Sequence, residues 1–470
     1  MSSEDTAVLS RSLNMSGAKA VADADKQLAK LGMKERLGYS VGDFASNLIW
    51  TSAGTFLSFY YTDVIGLSAA AVGMLLLIAR LMDAFVDIGV GALVDKTKSR
   101  HGKARPWLLW MAVPFGAAGV LLFTVPDIGT SGVLIYAYIT YLLMNIVYSC
   151  INVPYGVLNS LLTQESYQRS LVNIYRMVMT ISGALFVTFT TMPLVNLFGG
   201  GRTGWVLTFV VFAVLSVPLF LTTFASTKER VKPSVVQKEI PFKKAVHALF
   251  RNKYWAMIVG FSLIYFIGYS IITGMNVYYT QYILGDSGLV GLVGMASLLP
   301  ILVGLFFIAP FIKRYGKRNV ALLGSVIMIA GSLVIGFDPA SLPVVLTGVI
   351  IRAIGMMTIT ATLLAMLADT IDYGEWRTGM RTEGLVYSGG GFGAKAGTGL
   401  GGALIGWGLT LGGYIGGQET ISSSASTAIQ VLFIYLPVIL AILQIVFLWF
   451  YKLDKEYPRI IKDLESVRTS

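Results

Sequence analysis

The reading of the fold turns on LLLIARLMDAFVDIGVGALVDKTKSRHGKARPW, residues 75–107. The segment is apolar enough to enter a bilayer, yet it carries Arg80, Asp83 and Asp87 before it reaches Asp95 and a basic turn. The three charges stand at i, i+3 and i+7, so they share one face of a helix. A charge near the centre of a bilayer costs about 2.5 kcal/mol or more, so such residues face a bundle interior or a wet cavity. An ion pair between Arg80 and one aspartate would leave the second carboxylate unbalanced. Two carboxylates beside one arginine therefore read as a cation-coupling site.

Composition supports a membrane protein. Of the 470 residues, 55% are hydrophobic and 13% charged, and the mean hydropathy is +0.70. A soluble domain carries about 25% charged residues. The net charge of +11 does not point to nucleic acid, because the basic residues gather in short loops between apolar runs. The single cysteine, Cys150, allows no disulfide framework, and His101 and His247 sit in basic loops without zinc-ligand spacing.

Apolar runs of about 20 residues mark transmembrane helices, and twelve are predicted: 37–61, 69–94, 107–126, 132–157, 173–198, 204–224, 255–281, 288–313, 320–337, 343–367, 384–413 and 427–451. The glycine-rich eleventh is the least regular. Alternate loops are basic, the opposite loops holding only Arg202, which places both termini in the cytoplasm of a multi-pass inner-membrane protein. The expected organisation is a leader (1–36), a six-helix bundle (37–224), a central cytoplasmic loop (225–254), a second six-helix bundle (255–451) and a tail (452–470). The halves echo each other. Tyr60-Tyr61-Thr62 returns as Tyr278-Tyr279-Thr280, and SRHGKAR at 99–105 has a counterpart in KRYGKR at 313–318, with Gly102 matching Gly316. Repeated halves around a midplane site are a common transporter architecture.

Polar residues inside the spans are the informative minority. Asp43 and Asn47 are neighbours on the first span, followed by Trp50 and Thr51; Tyr148, Ser149 and Asn152 share a face of the fourth. Arg176 and Lys395 lie in the fifth and eleventh. Paired donors and acceptors beside an aromatic ring suit a polyhydroxyl ligand. Asn145, Asn276 and Arg352 read as interhelical hydrogen-bonding groups. The glycines at 389–402 read as close helix packing rather than a phosphate loop, since no GxxxxGK[ST] occurs.

Six ordered stretches carry a family resemblance: YSVGDFASN at 39–47, FYYTDVIGL at 59–67, ARLMDAFVD at 79–87, SRHGKARPW at 99–107, INVPYG at 151–156 and ADTIDYGEWRTGMRTEG at 368–384. Together they resemble the glycoside–pentoside–hexuronide:cation symporters of the major facilitator superfamily. The resemblance implies an all-α fold of twelve transmembrane helices in two pseudo-repeated halves, carrying a sugar derivative with Na⁺, Li⁺ or H⁺. It implies Asp83 and Asp87, with Ser149, at the cation site, Arg80 beside them, and Arg176 and Lys395 linking sugar and cation sites. Asp43, Asn47 and Asn152 complete the expected substrate set, and Asp95, Arg100 and Arg105 the expected cytoplasmic gate. The chain departs from the family's melibiose carriers at Ser46-Asn47, Asn152 and Gly156, and Val86 replaces an asparagine of their cation site. With fewer carboxylates around Arg176 and Lys395, an acidic sugar is slightly favoured.

The function expected is cation-coupled sugar import by alternating access, with no cofactor besides the ion and with sugar, cation and lipid bilayer as partners. The alternative is an uncoupled facilitator or lipid-like solute carrier on the same fold. No nucleophile–base–metal constellation supports an enzyme. Sodium wants five or six oxygens, and Val86 supplies none between Asp83 and Asp87. A proton needs one buried carboxylate with a like-charged neighbour, so the proton is preferred over Na⁺ held at Asp83 and Asp87.

Overall fold

A computed structural model of the chain describes residues 31–163, 165–231, 247, 249–380, 383–418 and 420–469. Twelve long helical segments follow one another. In the first half, α1 runs Met33–Phe59 and continues through a π-helical turn, Tyr60–Val64; α2 is Ala69–Lys96, α3 Arg105–Phe123, α4 Gly129–Leu162, α5 Ser166–Leu197 and α6 Gly201–Ser226. In the second half, α7 is Lys253–Tyr282, α8 Val290–Leu305 with a broken extension Ile308–Tyr315, α9 Lys317–Phe337, α10 Leu342–Thr378 and α11 Glu383–Leu411. Finally, α12 joins Ser423–Gln430, the turn Val431–Tyr435 and Leu436–Phe450. The tail is itself a helix, α13, Leu453–Thr469.

Among the described residues, ten helices are long and apolar enough to cross a membrane. The two bundle helices outside that set are α1, with its Asp43, Asn47 and hydroxyls, and α11, with its glycines and Lys395. Both touch helices of the two halves, so protein rather than lipid alone surrounds them and tolerates their polarity. Of the expected leader, residues 1–30 lie outside the described set, and residues 33–36 already belong to α1. Of the central loop, residues 232–246 and 248 likewise lie outside it.

Local chemistry sets the helix starts. Ser68, Asn252 and Ser422 accept the N–H of Ala71, Trp255 and Ala425 and cap α2, α7 and α12. At α3 the cap comes from afar: Glu229 accepts the backbone N–H groups of Lys103, Ala104 and Arg105 at 2.9, 2.8 and 2.9 Å. A carboxylate at a helix N-terminus meets both the unpaired donors and the positive end of the dipole.

The repeat seen in the sequence is a repeat of contacts. Asp454, just beyond α12, accepts the N–H of Arg318 at the start of α9, as Glu229, just beyond α6, does for α3. The Arg105 guanidinium donates to Phe224 O at 2.7 Å, and that of Arg318 to Leu448 O and Trp449 O. Gly102 and Gly316 precede these turns with φ of +103° and +80°, and a side chain at Gly102 would strike Glu229. Tyr61 and Tyr279 each donate to a carbonyl at or just beyond the end of the third helix of their half, Leu122 O and Pro339 O.

The halves meet along α2–α11, α5–α8 and α1–α7. Two glycine faces let α11 wedge between them. Gly389, Gly393, Gly397 and Gly401 lie against Trp255, Val259, Leu263 and Ser270 of α7; Gly399, Gly402 and Gly406 lie against Arg80, Leu76 and Gly73 of α2. The close-packing reading of these glycines thus describes their contacts. Away from the termini, Asp63 accepts from Tyr282 Oη, Tyr414 Oη (2.6 Å) and Gly417 N (3.3 Å), and the Thr62 and Tyr278 hydroxyls lie 2.8 Å apart. Among the described residues, side-chain hydrogen bonds and ion pairs join the halves at Lys395 and, beyond it, on this far side. The structure is latched on the far side.

Candidate cation and substrate site

The shared face predicted on α2 exists, but its charges divide. Asp83 is buried, and Ser149 on α4 donates to its Oδ1 at 2.9 Å. Lys395 reaches across from α11, with Nζ 2.8 Å from Asp83 Oδ2 and in contact with Asp87 Oδ2. The ammonium therefore lies between the two carboxylates, where a coupling ion was expected. Lys395 thus pairs with the two carboxylates expected to hold the cation. Arg80 does not pair with either aspartate among the described residues. Its guanidinium lies 4.2 Å from the ring centre of Trp50, which stacks on Tyr148 with centroids 3.6 Å apart. A guanidinium over indole is held by the ring quadrupole without losing its N–H donors.

A second pair lies on α1 and α5. Arg176 Nε donates to Asp43 Oδ2 at 2.7 Å and its NH2 to Oδ1 at 3.2 Å, a two-pronged fork. Tyr155 donates to the same carboxylate at 2.9 Å and stacks on Tyr39, with the guanidinium 4.7 Å over its ring. Three cations thus face three carboxylates, and Arg176 and Lys395 are both neutralised. Of these three cations, Arg80 has no carboxylate partner among the described residues.

Asn47 is largely committed within α1, donating to Asp43 O and accepting from Thr51 at 2.6 Å. Asn152 is exposed on the α4 face shared with Tyr148 and Ser149, and a side chain at Gly156, one turn on, would meet nothing within 4 Å. Both lie on the part of α4 toward the side of the termini. Of the residues read as structural, Arg352 donates to Phe433 O at 2.9 Å and is buried in the second half. Asn145 donates to Tyr141 O within its own helix.

The expected gate residues do not act together here. Asp95 pairs with Lys103 at 2.8 Å, Arg100 donates to His101, and Arg105 holds Phe224 O. All three contacts stay within the first half. The Asp63 cluster joins the halves on the far side, a contact that sequence reasoning missed. Its signal was present, because the repeated Tyr-Tyr-Thr elements supply Thr62 and Tyr278, which meet each other. The distinctive stretch at 368–384 also has a contact role. Asp369 holds Lys317 at 2.6 Å, Asp372 accepts from Tyr457 of α13, and Trp376 donates to Asp463. Residues 381 and 382 lie outside the described set.

Two six-helix halves, sealed at one end around a charged midplane cluster, define a membrane transporter of the major facilitator fold. Residues 38–455 match the family described as MFS/sugar transport protein, and the chain belongs to it. It is 38% identical to the isoprimeverose transporter of Lactiplantibacillus pentosus over 92% of this chain and 91% of that one. It is 32% identical to the glucuronide carrier protein homolog of Escherichia coli K12, over 93% and 96% of the two chains. The inner membrane symporter YicJ of the same bacterium is also 32% identical, over 88% and 90%. Among solved structures, a bacterial homologue of the lysosomal transporter Spinster, in an inward-facing and occupied conformation, superposes with a TM-score of 0.64 at 13% identity. It covers 89% of this chain and 95% of its own, a likeness of fold. Family membership makes the protein a transporter rather than an enzyme.

Proposed function

We propose that the protein is an inner-membrane symporter that imports a sugar derivative, a glycoside, pentoside or hexuronide, with a coupling cation. The observation that carries the reading is Lys395 lodged between Asp83 and Asp87 across the α2–α11 junction of the halves. A cation arriving at these carboxylates must displace the ammonium, which loosens a contact holding the halves together. Ion occupancy is thereby tied to the conformational equilibrium, as coupling requires. Sugar binds nearer the side of the termini, against Asn152, Tyr148 and the donors of Arg80, with Asp43–Arg176 fixing the wall. The relatives' names, an isoprimeverose transporter and a glucuronide carrier homolog, support sugars of this size. An acidic substrate would use Arg80.

The proton is the preferred coupling ion. With Lys395 withdrawn, the side-chain oxygens gathered there among the described residues are those of Asp83, Asp87 and Ser149. That set is thin for sodium. With both termini cytoplasmic, the far side, latched at Asp63, faces outward. A second reading is favoured by the same lysine: an ammonium that never leaves would serve as a permanent counter-charge, and the protein would be an uncoupled facilitator. Uptake into proteoliposomes, over neutral and acidic glycosides with imposed H⁺ or Na⁺ gradients, decides. Accumulation above the outside concentration supports the symporter; equilibration alone supports the facilitator; no sugar movement removes both.

A further inference from the structure

Toward the far side from the charged cluster, α1, α5, α7, α8, α10 and the α12 turn line a cavity of about 50 Å³. Its polar lining is Thr51, Thr55, Thr188, Tyr269, Thr273, Asn276 and Ser297, and no carboxylate, lysine, arginine or histidine lines it. Four of the hydroxyl protons here are already given away. Thr51 donates to Asn47 Oδ1 at 2.6 Å, Thr188 to Ala184 O at 2.7 Å, Thr273 to Tyr269 O at 2.9 Å and Ser297 to Val293 O at 3.0 Å. Each hydroxyl keeps its lone pairs. Asn276 donates to Val290 O at 3.3 Å, while its Oδ1 is buried without a partner in a residue only 7% exposed. The chamber is rich in acceptors, Asn276 Oδ1 among them without a donor, and a buried acceptor left unpaired is costly.

An uncharged, acceptor-lined chamber recognises a neutral ligand rich in O–H donors. Hard cations favour sites with carboxylates, and there are none here. The ring of a sugar has the required hydroxyls, and Phe433 and Met356 in the wall cover its C–H face. The chamber adjoins the site already described, because Thr51 is one helical turn, about 6 Å, from Asn47. In this closed-far-side state it has room for a few water molecules only. Its walls come from α1 and α5 of one half and from α7, α8, α10 and α12 of the other, so parting the halves on the far side widens it.

We propose that this chamber is a second, charge-free sugar subsite. It receives the ring of a glycoside farther from the Arg80–Lys395 cluster, with Asn276 Oδ1 as the orienting acceptor, and it contracts as the far side closes. The inference rests on the sugar-carrier reading above. The test is equilibrium exchange in proteoliposomes with two matched pairs of probes: isoprimeverose against xylose, and phenyl glucuronide against glucuronate. Thr188→Val and Asn276→Ala should each weaken half-saturation for the larger probe of the transported pair by about 5- to 10-fold, the loss of one hydrogen bond. Exchange of the smaller probe should be unchanged, and Thr188→Ser should restore the affinity. Equal losses for both members of a pair, slowed exchange with unaltered affinity, or a wild type that carries only the smaller probes would overturn the subsite. A wild type that moves none of the four removes the sugar-carrier reading with it. Should Asn276→Ala not be recovered folded, the two Thr188 variants decide.

Discussion

At the scale of single residues, the charged groups fall into two units that should respond differently to substitution. Asp43 and Arg176 form a forked, mostly buried pair supported by Tyr155. Removing one member of such a pair strands the other, at a cost of about 3 kcal/mol or more, whereas removing both spares much of that cost. Asp43→Asn alone should therefore lower thermal stability in detergent more than the double change Asp43→Asn, Arg176→Gln, and a double-mutant cycle of melting midpoints measures the difference. An additive cycle would show that the fork contributes nothing beyond its parts. Asp83 and Asp87 share one ammonium instead. Asp83→Asn or Asp87→Asn should abolish accumulation driven by an ion gradient while leaving sugar exchange within about tenfold of wild type, because the sugar contacts lie elsewhere. Normal concentrative uptake in both variants would sink the coupling role. The partners of these residues were only partly legible in sequence. The i, i+3, i+7 spacing places Arg80, Asp83 and Asp87 on one face, but one helix cannot show that Lys395, 308 positions beyond Asp87, comes between them while Arg80 turns to Trp50.

At the scale of elements, hydropathy marked every long helix, because a bilayer demands about 20 apolar residues from each. It could not mark α13, which is short and charged and is held by specific contacts: Tyr457 to Asp372, Trp376 to Asp463 and Tyr254 to Glu456. The far-side gate was missed for a similar reason. Asp63 reads as a loop acid at the end of α1, and only the fold brings Tyr282 and Tyr414 to it. Hydrogen bonds to a charged acceptor contribute about 1.5–3 kcal/mol each. Asp63→Asn should weaken the gate and raise far-side opening by about tenfold or more. A cysteine placed at Thr55, with Cys150→Ser as background, reports the opening through its labelling rate by a membrane-impermeant maleimide. An unchanged rate would show that helix packing alone, α5 on α8 and α2 on α11, keeps the far side shut.

At the scale of the whole molecule, the question is what displaces Lys395. In the state described here Lys395 balances one of the two carboxylate charges without any added ion, and the halves rest together at Asp83, Asp87 and Lys395. A coupling ion stabilises another arrangement only if it binds that arrangement better than this one. For sodium, the gain must come from a cage of oxygens, and Val86, Ser149 and two carboxylates build a poor one. For a proton, one neutralised aspartate suffices: the ammonium loses half of its attraction and the α2–α11 contact weakens. Proton coupling therefore predicts that sugar uptake in vesicles, at constant membrane potential, rises as external pH falls and is indifferent to Na⁺. Sugar added to unbuffered vesicles should also alkalinise the medium. Lys395→Ala should uncouple the two, leaving exchange that no longer responds to pH. Stimulation by Na⁺ at fixed pH, without sugar-induced proton movement, would mean that backbone carbonyls or water complete the cage that the side chains leave unfinished.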